Sequence, residues 1–352
     1  MPVSIVVGGQ FGSEGKGKIA LEVARRSREP VTAVRVGGSN SGHTAFDSQG
    51  RRRVLRQIPA AAIDGARIVL PAASYIDAEV LLEEIDLLGL GPDRLTIDRR
   101  AKLICRTHRA WENDAGLCAA IGSTGSGTGG AVMANVARST DALDLPSPRV
   151  DIVPELASFI GSADEVLTSR LARRERVVVE GTQGFGLSLN FGDWPFVTSR
   201  DTTAAAFATE AGTPVTEVDD VTMVIRCHPI RVGGRSGELP NEIDWSTITR
   251  DSGSDRELSE RTTVTGKIRR VGEFDSDIVR RAIAANGPTR IVLNHLDYVD
   301  WTVRSGELSD EALRFVSDLE RSIGRRVDWI GTDERTVVDR PATDNVHFLA
   351  TS

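Results

Sequence analysis

The sequence has little lysine, little cysteine and no long apolar run. Of its 352 residues 43 are basic, and only four of these are lysine, namely Lys16, Lys18, Lys102 and Lys267. The cysteines number three, an odd count, and show no Cys-x-x-Cys spacing. This excludes a disulfide framework and indicates reduced thiols in the cytoplasm. No apolar run approaches the roughly 18 residues of a membrane span, and the first residues lack the charged and apolar regions of a signal peptide.

A basic overall charge is also lacking. The net charge is −7 and the sequence pI about 5.4, so no basic face for bulk binding of nucleic acid is expected. The remaining composition is that of an ordinary globular protein, with 40% hydrophobic and 26% charged residues. No internal repeat or low-complexity linker divides the chain. This favours one domain over residues 1–352 with loop elaborations, in a cytoplasmic protein that binds neither nucleic acid nor membrane.

Short β-branched runs alternate with amphipathic stretches, a pattern typical of an α/β fold with a largely parallel central sheet flanked by helices. The predicted strands are Val3–Val7, Val31–Val36, Arg67–Leu70, Val177–Val179, Thr222–Arg226, Ile291–Asn294 and Val327–Ile330. The predicted helices run from the first glycine loop to about Arg26 and over Tyr75–Leu88, Trp111–Ala120, Val153–Arg173, Asp275–Ala284 and Asp310–Ile323. The stretches between these elements carry most of the functional information.

Several of the connecting loops are rich in Gly, Ser and Thr. They cover residues 8–18, 37–44, 121–130, 181–203 and 259–272. In open α/β sheets, ligands bind beyond the carboxyl ends of the strands, so these loops are expected to build one composite site. A single loop of this kind is adequately explained by turn propensity, but five favour a binding site.

The first of these loops has the composition of a phosphate-binding loop. Residues 8–18 read GGQFGSEGKGK and lie between a predicted strand and a predicted helix. Glycines there let successive backbone N–H groups face phosphate oxygens at the positive end of a helix dipole, and Lys16 would add a point charge. The loop departs from a strict Walker A motif, because Gln10 replaces a glycine and Gly17 replaces Ser or Thr.

From this loop onward the chain closely resembles the adenylosuccinate synthetase superfamily, whose members carry a GDEGKGK loop followed by a GGxNxGHT loop. The corresponding runs here are QFGSEGKGK and VRVGGSNSGHT. The resemblance continues in order through AIGSTGSGTGG at 120–130, VVVEGTQG at 177–184, FVTSRDTTAAA at 196–206, TGKIRRVGEFD at 265–275 and LNHLD at 293–297. It implies the P-loop-like α/β fold of that superfamily and a C–N bond-forming ligase.

Members of the superfamily join L-aspartate to the 6-position of a purine nucleotide, using a nucleoside triphosphate and Mg²⁺. The resemblance implies that the γ-phosphoryl group moves first to O6 and that the aspartate amine then displaces phosphate. Such a reaction needs positioning and charge neutralisation more than covalent chemistry from the protein. The matched catalytic positions are Ser13, Lys16, His43 as general acid, and Gln183 as a ligand of the 6-oxygen.

The resemblance also implies the binding residues. For the donor nucleotide they are Gly12, Glu14, Gly15, Lys16, Gly17, Lys18, Gly42, Thr44, Arg269, His295 and Asp297. For the acceptor nucleotide and aspartate they are Ser13, Asn40, Thr124, Arg138, Gln183, Thr198, Thr263, Val264, Thr265, Gly266, Lys267 and Arg269. Mg²⁺ would be bound by Ser13 and the carbonyl of Gly42. The family's counterpart of Arg138 reaches the site of the neighbouring subunit, which implies a homodimer.

One departure from the family pattern bears on the acceptor. Ser13 stands where the family has an aspartate that removes the N1 proton of inosine monophosphate, and a hydroxyl is not a base near neutral pH. A smaller side chain leaves room for the 2-amino group of guanine. The same substitution marks the phage branch of the superfamily, which acts on dGMP in the diaminopurine pathway with ATP or dATP as donor. We therefore expect dGMP, L-aspartate and ATP or dATP as substrates.

Other interpretations stay open at this stage. The chain could act on IMP as an ordinary adenylosuccinate synthetase, or it could be a nucleotide-binding regulator without ligase activity.

Further departures from the family pattern concern both nucleotides. Lys267 and Ser126 replace family arginines near the acceptor. His295 replaces a lysine beside the donor base, which favours an adenine donor. Asp297 points the other way, since a carboxylate suits the N1–H and N2–H groups of guanine.

Overall fold

Strands and helices alternate along most of the chain, as the sequence pattern predicts. The computed structural model describes residues 2–138, 144–262 and 266–341. Its helices are α1 (Lys16–Arg25), α2 (Ala78–Leu88), α3 (Arg106–Asp114), α4 (Leu117–Ala120), α5 (Thr128–Ala137), α6 (Ala163–Ala172), α7 (Ala204–Ala211), α8 (Trp245–Asp251), α9 (Ser276–Asn286) and α10 (Asp310–Ile323). Its strands are β1 (Val3–Gly8), β2 (Val31–Arg35), β3 (His43–Phe46), β4 (Arg52–Leu55), β5 (Arg67–Leu70), β6 (Tyr75–Ile76), β7 (Leu95–Asp98), β8 (Lys102–Leu103), β9 (Ile160–Gly161), β10 (Arg176–Glu180), β11 (Val218–Arg226), β12 (Ile230–Arg231), β13 (Glu242–Ile243), β14 (Arg270–Gly272), β15 (Arg290–Asn294), β16 (Trp329–Gly331) and β17 (Val337–Asp339).

Most of the strands in the described ranges form one sheet, in the order β17-β16-β15-β11-β1-β10-β2-β5-β7-β9. All neighbouring pairs in this sheet are parallel except β16 with β17. A parallel sheet needs crossover connections, and the helices supply them. The predicted α/β class with a largely parallel central sheet is therefore confirmed.

The central strands are buried on both faces, because helices cover both sides of the sheet. Side chains alternate along β1: Val3, Ile5 and Val7 join the core under α7, α9 and α10. Val6 faces the opposite side and packs with Ile19 of α1. In the part of the chain that the structure describes, none of the helices has the length and apolar character needed to cross a membrane.

Three predicted helices have different bounds in the structure. The stretch Tyr75–Leu88 begins as strand β6, and α2 starts only after Asp77. The stretch Trp111–Ala120 was predicted too late along the chain, because α3 begins at Arg106 and Gly116 separates it from α4. The single helix predicted over Val153–Arg173 is wrong: Pro154 begins a 3-10 helix that ends at Phe159, β9 follows, and α6 starts after the Ser162 cap. Proline is favoured at the start of a helical turn and disfavoured inside a helix.

Candidate functional site

Five neighbouring strands of the central sheet, in the order β15-β11-β1-β10-β2, end at the same edge. In the sheet register, Glu180 of β10 pairs with both Val6 of β1 and Arg35 of β2. On the other side of β1, Arg226 of β11 pairs with Asn294 of β15. The glycine-rich loops that follow these strands therefore meet at the carboxyl edge of the sheet, where ligands bind in α/β folds.

A cavity of about 170 Å³ lies between these loops. Ten of the residues predicted for the site line it: Ser13, Gly15, Lys16, Gly17, Lys18, Gly42, His43, Thr44, Arg269 and His295. The lining also includes residues that the sequence analysis did not assign to the site, namely Ser41, Glu260, Asn294, Asp333 and Glu334. Loops that are 250 or more residues apart in sequence thus share one cavity.

The phosphate loop is held together from within by Glu14, a predicted site residue that is buried below the cavity. Its Oε1 accepts hydrogen bonds from the backbone N–H of Gly12 at 2.8 Å and of Gln10 at 3.2 Å. Its Oε2 lies 2.6 Å from the ammonium of Lys16, which also donates to the carbonyl of Gln183. Gly12, Glu14, Lys16 and Gln183 are therefore one hydrogen-bonded unit.

The absence of a side chain at Gly17 has a direct structural reason. A Cβ at this position would lie 2.6 Å from the Cβ of His43, closer than non-bonded carbon atoms approach. The volume that a Walker A motif gives to Ser or Thr is occupied here by the His43 side chain. This contact brings the predicted general acid against the start of α1.

His43 is fixed by two buried charged residues at the ends of neighbouring strands. Its Nδ1 lies 2.7 Å from Oε1 of Glu180 and 2.5 Å from Nη1 of Arg35, which is also paired with Glu180. The other oxygen of Glu180 accepts the N–H of Ala60 at 2.8 Å. Arg35 Nη1 donates to Glu180, and this carboxylate can only accept, so we assign the imidazole proton to Nδ1 and do not count the Arg35–Nδ1 contact as a hydrogen bond. Nε2 is then the ring nitrogen available to a ligand.

Burial dominates the electrostatics of this pair. Desolvation, together with the nearby Arg35 cation, lowers the pKa of His43 to about 4, although the Glu180 carboxylate opposes the shift. The positive charge of Arg35 and the hydrogen bond from His43 lower the pKa of Glu180 to about 2, against the effect of its own burial. The imidazole is therefore neutral and Glu180 is charged at physiological pH.

The far end of the cavity is formed by α1 and the segment after β16. Lys18 Nζ donates to the carbonyl of Asp333 at 2.7 Å, and burial lowers the pKa of Lys18 to about 8. Burial and the cation of Arg226 also lower the pKa of His295 well below its usual value. The 331–335 segment was missed in the sequence analysis, although its short polar run after a predicted strand was a usable signal.

Asp297, predicted to contact the donor base, does not line the cavity. Its Oδ2 accepts from Nη1 of Arg304 at 2.6 Å, and Nη2 of Arg304 lies 2.9 Å from Glu334. Its Oδ1 is buried and has no hydrogen-bond partner among the described residues. Burial raises the pKa of this carboxyl to about 6, against the effect of Arg304.

A cluster around Glu260 joins three elements beside the cavity. Its carboxylate lies 2.5 Å from Nη2 of Arg226 and 3.1 Å from Nη1 of Arg269, and it accepts from the hydroxyl of Tyr298 at 3.1 Å. The two guanidinium groups hold the pKa of Glu260 far below its ordinary value, although burial opposes this. No sequence motif indicated Glu260, which lies just before the predicted aspartate loop.

Three predicted acceptor residues, Asn40, Thr124 and Gln183, are not part of the cavity lining. Gln183 Nε2 donates to Oδ1 of Asn40 at 3.3 Å, and the buried Oε1 of Gln183 has no partner in the described structure. Thr124 donates to Ser126 at 3.2 Å. The N–H groups of the 127–130 turn that follows are held by Glu112, at 2.9 Å from Gly127, 2.7 Å from Gly129 and 3.2 Å from Gly130.

Four predicted residues are less closely connected to the cavity. Thr198 bonds through its N–H to the carbonyl of Leu187 at 2.8 Å. Arg138 is exposed at the end of α5, and Gly266 and Lys267 are exposed on the loop before β14. Thr263, Val264 and Thr265, predicted for aspartate binding, lie outside the described residues.

Unusual backbone conformations concentrate among the predicted residues. In the described ranges seven non-glycine residues have a positive φ, and four of them are predicted site residues: Ser13 (59°), Arg138 (58°), Gln183 (54°) and His295 (63°). Such conformations cost on the order of 1–3 kcal/mol each and persist where the surroundings impose them, often at binding sites.

The residues around the cavity fit a magnesium ion held mainly by phosphate. Ser13 and Gly42 both line the cavity, and each can offer one oxygen. The described residues include no group of three or more His, Cys, Asp or Glu side chains placed to hold a metal. Mg²⁺ is commonly bound by few protein oxygens together with water and substrate phosphates.

Known proteins resemble this chain in sequence over most of its length. A sequence model of the adenylosuccinate synthetase family matches residues 5–148 and 140–304. The adenylosuccinate synthetase of Methanocaldococcus jannaschii is 36% identical over 337 residues, which cover 94% of this chain and 93% of that protein. The adenylosuccinate synthetase of Archaeoglobus fulgidus is 34% identical over 339 residues, covering 94% and 96%.

Solved structures of known proteins share the fold. The succinoaminodeoxyadenylate synthetase (PurZ) of cyanophage S-2L, bound to dGMP and to dATP as an energy donor, has a TM-score of 0.79 and 28% identity over 97% of this chain and 96% of that chain. Fully ligated adenylosuccinate synthetase from Plasmodium falciparum has a TM-score of 0.81 over 97% and 100% of the two chains. At 19% identity, the second likeness concerns the fold.

Proposed function

The chain belongs to the adenylosuccinate synthetase family of C–N bond-forming ligases, and from that premise we propose that its substrates are dGMP, L-aspartate and ATP or dATP. The products would be 2-amino-2′-deoxy-N6-succinyladenylate, a nucleoside diphosphate and phosphate. Such a product belongs to the synthesis of diaminopurine deoxynucleotides. The chemistry keeps the family reaction and changes the base that accepts aspartate.

The observation that carries this proposal is the exposed Ser13 side chain at the cavity. Ser13 has φ 59°, a left-handed conformation in which aspartate and asparagine are the best tolerated non-glycine residues. The backbone therefore does not require serine in place of aspartate. A short hydroxyl leaves space for the 2-amino group of guanine and can accept a hydrogen bond from it. Similarity to the cyanophage enzyme whose structure contains dGMP and dATP supports the same substrates.

The contacts of the site support distinct roles for its side chains. His43, with Nδ1 held by Glu180, would direct Nε2 to the 6-oxygen and its departing phosphate, whose negative charge favours a protonated Nε2 that can donate. Lys16 and the backbone N–H groups of the phosphate loop would hold the triphosphate. Gln183, whose Oε1 lacks a protein partner in the described structure, would bind the purine. Mg²⁺, bound through Ser13 and the Gly42 carbonyl, would neutralise phosphate charge.

Phosphoryl transfer makes the 6-position of the purine electrophilic. O6 bonds to the γ-phosphorus, the bond from that phosphorus to the β-phosphate oxygen breaks and the nucleoside diphosphate departs, while the N1 proton of the purine passes to water or a phosphate oxygen. The aspartate amine then forms the C6–N bond, the C6–O bond breaks, and phosphate leaves with its charge stabilised by His43. Residues 263–269 would bind the aspartate carboxylates, with Arg269 within reach of the triphosphate.

A homodimer is part of the same proposal. Arg138 ends α5 with φ 58° and an exposed side chain. An arginine in this position could bind the phosphate of the acceptor nucleotide in a neighbouring subunit, since its planar fork suits phosphate oxygens. A second copy of the chain would then complete the site.

A second candidate function is the ordinary family reaction on IMP. The relatives with 34–36% identity are adenylosuccinate synthetases. Guanine and hypoxanthine both carry an N1 proton, so with either acceptor a group other than an aspartate at the position of Ser13 has to accept that proton.

One assay distinguishes the two candidates. The full-length protein is incubated with MgCl₂, L-aspartate and ATP or dATP, with dGMP, GMP or IMP as acceptor, and the succinyl nucleotide is measured by chromatography and mass spectrometry. We expect product with dGMP. Product with IMP alone would replace the proposal by the second candidate, and absence of product with every acceptor would contradict both.

A further inference from the structure

Arg226, at the end of β11, connects two loops of the site through one guanidinium group. Its side chain is 0% exposed. Nη1 donates to the backbone carbonyl of Ser13 at 3.0 Å, while Nη2 lies 2.5 Å from Oε1 of Glu260. Nη1 also lies 3.4 Å from the second oxygen of Glu260. The same cation thus touches the phosphate loop and the 259–272 loop.

The backbone of Arg226 is fixed to the phosphate loop as well. Its N–H donates to Oε1 of Gln10 at 2.9 Å, and its carbonyl accepts from Nε2 of Gln10 at 3.1 Å. Both ends of this reciprocal pair are buried. The position of the Arg226 side chain is therefore set by the sheet and by the first residues of the phosphate loop.

Glu260 is in turn fixed within the 259–272 loop at several points. Its carbonyl accepts from the N–H of Arg269 at 2.9 Å, and its carboxylate binds the Arg269 side chain. The Arg269 carbonyl accepts from Nε1 of Trp245 at 2.8 Å. A movement of Arg269 must therefore displace Glu260, and Glu260 is held directly by Arg226.

We propose that Arg226 is a positioning residue that couples the 259–272 loop to the conformation of Ser13 in the phosphate loop. Under the proposed function, on which this inference rests, the 259–272 loop binds aspartate and the phosphate loop binds the donor triphosphate. Binding of either ligand would then favour the loop geometry that binds the other. Such coupling is reciprocal by thermodynamic necessity.

The chemistry of the group explains why it suits this role. A guanidinium presents its donors in a rigid planar fork and can bind a carbonyl and a carboxylate at once, whereas an ammonium is a single point. The left-handed conformation of Ser13 is unfavourable by itself, so a donor on its carbonyl helps to maintain it. A fully buried charge also carries a desolvation cost, which its partners must offset.

The first test needs no ligand. Amide hydrogen exchange of peptides covering residues 9–18 and 256–272 is compared in the full-length wild type, Glu260→Gln, Arg226→Lys and Tyr298→Phe. We expect Glu260→Gln and Arg226→Lys to increase exchange in both peptides by about tenfold, the range of ordinary coupling energies. Tyr298→Phe should cause a smaller change, because it removes only one neutral bond to Glu260. Unchanged exchange in residues 9–18 of Glu260→Gln would overturn the proposal.

The matched control is the buried pair Arg340–Glu320, whose side chains are 1% and 2% exposed. Arg340→Lys alters an equally buried ion pair formed by the residue after β17 and α10. Its exchange in residues 9–18 should equal that of the wild type. If Arg340→Lys changes this peptide as much as Arg226→Lys does, the effect is general destabilisation and the proposal is wrong.

The second test uses the enzyme assay. In Arg226→Lys the KM for L-aspartate and the KM for ATP should both rise, by about fivefold to tenfold, with a smaller change in kcat. Arg340→Lys should keep wild-type KM values. Equal KM values in Arg226→Lys and wild type would contradict the coupling. Lack of activity in the wild type would instead contradict the proposed function, and the exchange experiment would still decide the coupling.

Discussion

The Nδ1 nitrogen of His43 lies 2.7 Å from Oε1 of Glu180, the last residue of β10. Both side chains are buried at the carboxyl edge of the sheet. A carboxylate in this position orients the imidazole and fixes which ring nitrogen carries the proton. The pairing makes Glu180 a positioning residue for the proposed chemistry of His43.

Replacing Glu180 should therefore impair catalysis through His43. In Glu180→Gln the neutral amide no longer stabilises the positive charge that His43 gains when Nε2 is protonated while Nδ1 keeps its own proton. We expect kcat to fall by about 100-fold or more, as for loss of general acid catalysis, with little change in KM. Steady-state kinetics with dGMP as acceptor measures this.

Because the two side chains act as a unit, their effects should not add. The double variant His43→Ala with Glu180→Gln should be about as slow as His43→Ala alone. Glu320→Gln, at a buried carboxylate outside the site, is the control and should keep wild-type kcat. A double variant whose loss equals the product of the two single losses would contradict the pairing.

The lowered pKa of His43 predicts a pH dependence of stability. The unfolded chain binds a proton on this residue below about pH 6.5, whereas the native state resists protonation down to about pH 4. Stability is thus fully present above pH 6.5 and decreases as the pH falls through this window. At pH 5 the free energy of unfolding is expected to be about 2 kcal/mol lower than at neutral pH because of His43 alone. Urea unfolding at pH 7.5 and pH 5 should show that His43→Gln loses less stability between the two values than the wild type does. An equal loss would show that His43 is not buried in its neutral form.

Ser13→Asp tests the origin of the acceptor preference. The left-handed backbone at Ser13 accommodates aspartate, so the variant should fold. The added carboxylate would crowd the 2-amino group of guanine, and kcat/KM for dGMP should fall about tenfold more than kcat/KM for IMP, equivalent to roughly 1.4 kcal/mol. Ser13→Ala keeps the space and should retain more activity on dGMP than Ser13→Asp does. Equal losses on both acceptors in Ser13→Asp would mean that this residue does not select the base.

Variants of the buried Lys16–Glu14 pair, whose charged atoms are 2.6 Å apart, test whether Lys16 acts on the phosphates or only stabilises the fold. Lys16→Gln leaves Glu14 charged and unpaired, which should cost about 3–5 kcal/mol. The double variant with Glu14→Gln should recover most of this stability, because a glutamine oxygen can still accept from the N–H of Gly12. Both variants should lose at least about 100-fold in kcat/KM for the donor, since the ammonium is absent. Urea midpoints and kinetics measure the two effects. Recovery of activity in the double variant would show that Lys16 has no direct role at the phosphates.

Arg304→Gln tests whether Asp297 contacts the base of the donor nucleotide. Arg304 occupies Oδ2 of Asp297 at 2.6 Å, which leaves one oxygen of this carboxylate unpartnered in the described structure. Removing the guanidinium frees both oxygens for the N1–H and N2–H groups of guanine. The ratio of kcat/KM for GTP to that for ATP should rise about tenfold, the value of one charged hydrogen bond. Glu334→Gln loosens Arg304 without removing it and should change the ratio less. An unchanged ratio would place Asp297 away from the base.

The parts of the fold and site that follow from local patterns were predicted from the sequence. The apolar β-branched runs at Val3–Val7 and Val31–Val36 are strands because they are buried on both faces. The glycines of loop 8–18 and the histidine at the end of loop 37–44 meet because parallel strands end at one edge. The predicted helices Tyr75–Leu88, Trp111–Ala120 and Val153–Arg173 have wrong bounds, because a cap, a glycine and a proline override apolar spacing there.

The partners of the site residues were not predicted, because they depend on contacts across the sheet. Glu180 is 137 residues from His43, and Glu260 is 34 residues from Arg226. A charged residue at the end of the buried run VVVE was a usable signal for Glu180, since an ionised side chain inside a sheet needs a partner. Nothing local in the sequence around Glu260 distinguished it from a solvated surface glutamate.

The contact between Gly17 and His43 has a consequence for how this loop could have diversified. One small volume at the start of α1 can hold a hydroxyl side chain or the imidazole, and the 2.6 Å approach leaves no room for both. Restoring the Walker A residue at Gly17 would displace His43 instead of adding a metal ligand. Conversion between a simple triphosphatase loop and a loop that transfers phosphate to a base therefore requires two linked substitutions, and each one alone is expected to be unfit.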